Sequence, residues 1–230
     1  MQKSMNLDMP EQGKELPYND FSGMDLRGMN FNGKDMSRTR FVEAKMKGVQ
    51  LVGATLIGCD FRGADMEGAV LDGAILDWAN LDRANLMWAK LKQASFQSAS
   101  LYAATLYRVH AYYSNFQNAN MRHANMVRAD FTSACLHGVD AEDANARGAA
   151  FSNADLRKST FAFADLLGCD FEGADLGKAD LEGADLSWSQ LRGAVLLGAN
   201  LTDVSLIDAN IDEAVVRVED LSKVSKQEDR

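Results

Sequence analysis

Residues 61–90 read FRGADMEGAVLDGAILDWANLDRANLMWAK. Every fifth residue of this stretch is large and apolar: Phe61, Met66, Leu71, Leu76, Leu81 and Leu86. Two residues before each stands a small one: Cys59, Ala64, Ala69, Ala74, Ala79 and Ala84. Followed outward in both directions, the register runs from Phe21 to Ile211 without an insertion or deletion. Its 39 positions hold 20 Leu, 10 Phe, 5 Met, 1 Ile and 3 Ala, so no polar residue enters the series. The preceding small position is Ala at 25 of the 39, and the residue between the two is often Asp or Asn.

A period of five fits neither an α-helix, which repeats near 3.6 residues, nor a strand, which repeats at two. It requires a backbone that turns every five residues. Glycine marks the turn: 16 of the 18 glycines lie two residues after the large centre. That position suits a positive φ, as in a type II turn. From Trp78 to Ser133 twelve successive corners carry no glycine, and a different turn type is expected in those middle coils.

This pattern resembles the pentapeptide-repeat family over about residues 19–215. The resemblance implies an all-β fold, a right-handed quadrilateral parallel β-helix with four pentapeptides to each square coil. By the same resemblance the large centre and the small residue two before it face inward and the other three outward, and Leu26, Met46, Met66 and Leu86 would be stacked neighbours. About ten coils follow, a rod of roughly 45–50 Å at a strand spacing of about 4.8 Å. Residues 1–18, which hold both prolines, are expected to form a non-repeat N-terminal cap or leader. Residues 216–230 are expected to form a C-terminal cap and polar tail, with Val218, Leu221 and Val224 on one face of a short helix over the last coil. Ala111, Ala141 and Ala146 replace a large centre residue, which predicts locally looser packing around them, filled by neighbours or water.

The composition excludes several classes of function. No apolar run approaches the ~18 residues of a membrane span. The start, MQKSMNLDMPEQGKEL, has no apolar signal region, so a cytoplasmic protein is expected. Cys59, Cys135 and Cys169 have no metal-ligand spacing and fit a reducing compartment. The net charge of −9 disfavours direct nucleic-acid binding. His110, His123 and His137 fall on three different sides of a coil of four pentapeptides, and no catalytic triad, metal cluster or phosphate loop is legible. No enzyme activity, cofactor or metal is therefore expected.

Function must then lie on the outer surface of the rod. Residues 161–230 hold 15 acidic and 6 basic residues and so carry the whole net charge of −9. Between Asp82 and Asp130 there is no acidic residue, while Arg83, Lys90, Lys92, Arg108, Arg122 and Arg128 lie there. The same waist collects outward aromatics. At four pentapeptides per coil, Met87, Tyr107 and Val127 form one column, and Trp88, Arg108 and Arg128 the next. Residues of these types are enriched where partners bind. The sequence thus points to a rigid scaffold, monomer or homodimer, that holds a protein partner through these six residues. The best-known activity of similar proteins implies an alternative, a DNA mimic that protects or inhibits gyrase. That reading needs a long acidic face, and the column from Asp25 through Lys45, Asn85 and Thr105 to Asp185 is interrupted. A type VI secretion accessory or translocated effector is a third reading, from the pattern of residues 21–41.

Overall fold

The computed structural model describes residues 20–224. The expected cap at 1–18 and the polar run 225–230 lie outside them. The chain winds into a solenoid held by parallel bridges. These join Asp20 to Arg40, Asp25 to Lys45, and so on in steps of five to Val195 with Val215. Four pentapeptides therefore make one coil.

One pentapeptide explains the rest, because each of its N–H groups has a defined role. In residues 84–88, the N–H of Leu86 donates to Thr105 O at 2.8 Å and that of Trp88 to Tyr107 O at 3.0 Å, both on the coil above. The N–H of Asn85 donates to Ala64 O on the coil below at 2.9 Å, and that of Ala89 closes the turn on Leu86 O at 2.9 Å. The N–H of Met87 points outward, and the Asn85 side chain accepts it at 3.1 Å. This is why Asp or Asn so often precedes the centre. The same side-chain bond recurs from Asp20 to Ser22, Asn125 to Val127 and Asp185 to Ser187. Where Asp or Asn is absent from that position, the coil below sometimes substitutes: Asp72 takes the N–H of Lys92, and Asp77 that of Gln97.

The second residue after every centre, from Gly23 to Glu213, has a positive φ. With the turn bond and no positive φ at the first residue, this is a type II turn at every corner. The expectation of a different turn in the middle coils is therefore corrected. From Trp78 to Ser133 the φ values are 53–60°, against 62–73° for the glycines. The physical reason is that the corner N–H is tied to the coil above. The ladder fixes the corner, and a side chain there must tolerate left-handed backbone at about 1–2 kcal/mol.

Inside, the centre and small positions form one continuous apolar core. Like centres stack: Phe21, Phe41 and Phe61 lie 5.4 and 4.9 Å apart, nearly parallel. Near Ala141, Phe161, one coil above it, meets the Phe151 ring edge-on at 5.9 Å.

At the C-terminal end Ile211, expected inward, is 41% exposed. Among the described residues the ladder stops at Val215, and no coil covers that side of the last turn. The chain leaves through a single-turn helix, α1, Val218–Leu221. Leu221 and Val224 pack against the core, and Asp203 N–H bonds Lys223 O at 3.1 Å.

Cys59 and Cys169 fill small inward positions and donate to Met36 O at 3.0 Å and Ala146 O at 2.9 Å. Burial pushes each thiol up to about 12. The reactive species is the thiolate, so at pH 8 a maleimide should label the folded protein once, at half-buried Cys135. Labelling after unfolding without reductant should reach three. Fast labelling of a second thiol in the folded state would show that the core opens.

Candidate partner-binding surface

The six residues singled out in the sequence come together on one side of three successive coils. The backbone fixes the columns: Trp88 N–H bonds Tyr107 O, and Arg108 N–H bonds Val127 O at 3.0 Å. Trp88, 47% exposed, meets the half-buried Tyr107 ring edge-on with centroids 6.5 Å apart. The Arg108 guanidinium lies over that same ring at 5.4 Å, a cation–π contact that restrains it. Met87 and Val127 flank Tyr107 below and above, half-buried, and Arg128 is exposed.

Three of these residues occupy strained corners. Trp88, Arg108 and Arg128 have φ of 58, 53 and 57°. Glycine would meet that requirement without cost. Bulky side chains concentrated at such corners are a local expense, and backbone strain of this kind gathers at functional sites.

Beside the columns runs a groove lined by Trp88, Arg108, Val109, His110, Arg128 and Asp130. His110 also lines the next groove on the adjoining side, with Asp72, Lys90, Lys92 and Tyr112. Lys92 sits over the Tyr112 ring at 5.5 Å. Sequence columns alone did not reveal this second face, because the corner joins residues assigned to different sides. A sequence signal existed: Lys90 and His110, like Lys92 and Tyr112, are one full coil apart along the chain.

Charge pairing varies along the rod. Several arginines outside the waist are matched: Arg27 with Asp25, Arg62 with Asp60, Arg147 with Asp165 and Arg157 with Asp155. The guanidinium of Arg27 holds the Asp25 carboxyl down to about 2. Arg122, although within the waist, pairs with Glu142 and Asp140. Among the described residues no ion pair reaches Lys90, Lys92, Arg108 or Arg128. Trp188, exposed Ile207 and half-buried Leu167 continue the apolar side toward the C-terminal end. Among the described residues no three His, Cys, Asp or Glu side chains are grouped to hold a metal ion.

The chain matches the family model of pentapeptide repeats at residues 20–56, 50–86, 84–122, 112–145, 142–177 and 179–217. Among solved structures it is similar to HetL, a pentapeptide-repeat protein involved in heterocyst differentiation regulation in the cyanobacterium Nostoc sp. strain PCC 7120. That match has 26% identity and a TM-score of 0.85, and covers 86% of this chain and 90% of HetL. It is also similar to QnrB1, a plasmid-mediated fluoroquinolone resistance protein, with 17% identity, a TM-score of 0.52, and coverage of 87% and 94%. No curated protein sequence matches the chain.

Proposed function

We propose that this chain, which belongs to the pentapeptide-repeat family, is a non-enzymatic scaffold that holds a protein partner against its waist. Met87, Trp88, Tyr107, Arg108, Val127 and Arg128 make the contact. One observation carries the reading. Twelve successive left-handed corners, Trp78 to Ser133, bear side chains where glycine is the unstrained choice. Three of those corners belong to the aromatic and arginine columns described above. A rigid rod presents such a patch with little ordering cost, which favours binding. The likeness to HetL, a protein involved in regulation, agrees with a binding role. QnrB1 shares the fold at 17% identity, and the unpaired cations of the waist oppose a DNA mimic, which must present acid. The three unbridged cysteines suit a reducing, cytoplasmic setting.

The test is affinity capture from the source cells with the natural chain and with Trp88→Ala/Tyr107→Ala. Aromatic anchors contribute about 2 kcal/mol or more each, so the partner captured by the natural chain should bind the double variant roughly a thousandfold more weakly. Thermal stability should stay nearly constant, since neither side chain belongs to the core. Equal binding places the contact elsewhere.

A further inference from the structure

The grooves beside the columns hold more cations than carboxylates. They are lined by four cations, Lys90, Lys92, Arg108 and Arg128, against two carboxylates, Asp72 and Asp130. The chain as a whole carries −9. Two guanidiniums one coil apart, about 4.8 Å, repel each other, and no carboxylate among the described residues pairs with either. Arg108 is already held by the Tyr107 ring, so little freedom is lost when it meets an anion.

The backbone adds a second feature. At most pentapeptides an Asp or Asn side chain caps the outward N–H, as Asn85 caps Met87 and Asn125 caps Val127. At Tyr107 and Tyr112 the capping position holds Thr105 and His110, and the coil below offers Met87 and Lys92. Neither N–H has a protein acceptor among the described residues. Outward donors and unpaired guanidiniums thus stand together on two adjoining sides.

From this we infer that the waist takes an acidic segment of a protein partner, whose carboxylates occupy the place of the missing Asp and Asn caps and bridge Arg108 and Arg128. The inference rests on the scaffold reading and names the partner's chemistry. A carboxylate meets an arginine in paired, charge-assisted hydrogen bonds, and Trp88 and Tyr107 receive an apolar side chain beside it. The size matches a short peptide. Trp88 to Arg128 spans two coil steps, about 10 Å, or roughly three extended residues. A long polyanion fits poorly, because beyond the waist the rod turns acidic: residues 161–230 hold 15 acidic and 6 basic residues.

The experiment uses a fluorescein-labelled peptide, three repeats of Glu-Leu, with three repeats of Gln-Leu and a 12-nucleotide single strand as comparators, read by anisotropy on the whole chain. The Glu peptide should bind at least tenfold more tightly than the Gln peptide and weaken as salt rises, since exposed charges are screened over about 8–10 Å at 0.1–0.15 M. Arg108→Glu/Arg128→Glu should abolish that binding with an unchanged melting temperature, and Asp165→Asn/Asp185→Asn should leave it intact. Equal affinity for the Glu and Gln peptides, retention by the charge-reversed variant, or preference for the oligonucleotide each overturns the inference. Failure here is distinct from failure of the scaffold reading. If Trp88→Ala/Tyr107→Ala loses the natural partner while Arg108→Glu/Arg128→Glu keeps it, the scaffold stands and the acidic segment falls.

Discussion

Phe151→Ala should cost about 3–5 kcal/mol of stability, the range for removing a buried ring. The Phe151 ring stacks on Phe131 at 5.4 Å and on Phe171 at 5.1 Å, and meets Phe161 edge-on at 5.9 Å. Two of the other centres of its own coil are Ala141 and Ala146. Phe151 therefore fills a section that Ala141 and Ala146 leave thin. For a chain of this size the melting temperature should fall by roughly 6–20 °C. Urea unfolding would measure the loss directly. Phe163→Ala is the matched control, because this single off-register phenylalanine is 57% exposed; it should change stability by less than about 0.5 kcal/mol. A loss below about 1 kcal/mol for Phe151→Ala would show that the alanine-lined section collapses to fill the void.

Asn125→Pro should break the rod in two energetically. Asn125 N–H donates to Ala104 O at 2.9 Å in the middle of the stack. Proline removes that donor, and within a ladder it costs about 3 kcal/mol or more. The chain's two prolines, Pro10 and Pro17, both precede the first bridged residue, Asp20. In a solenoid each coil is stabilised mainly by its two neighbours. A weakened step at the centre should therefore separate one melting transition into two, with amide exchange fastest around residues 104–125. Asn125→Ala removes only the side-chain acceptor for Val127 N–H, 3.2 Å away, and should keep a single transition. One unshifted transition for Asn125→Pro would mean that the coils are coupled over longer distances than nearest neighbours.

The register was legible because two of every five residues face a space too narrow for anything else. The resemblance that this spacing carries assigned Leu86 and Ala84 inward, and both are fully buried. The corner conformation at Trp88 was not legible. Local preference argues against a left-handed tryptophan, but the bond from Trp88 N–H to Tyr107 O fixes the corner from outside the pentapeptide. Ile211 obeyed the pattern and still lies at the surface, since inwardness also requires a covering coil. At the waist, counting in whole coils placed Trp88, Arg108 and Arg128 in one column. It could not distinguish Arg122, satisfied by Glu142, from Arg108, satisfied by an aromatic face alone. That difference depends on which side chains of neighbouring coils reach one another.

The constant bridge interval of four pentapeptides also makes this molecule a ruler. Every coil begins and ends on the same bonds, so a tandem copy of any four consecutive pentapeptides within the bridged region can be accommodated without disturbing a corner. A copy placed between the waist and the acidic end would move the two apart by one step of about 4.8 Å along the axis. Distance between two surfaces is thereby encoded in whole coils, and a gene that duplicates in this unit can retune the reach of the protein while leaving both surfaces as they were.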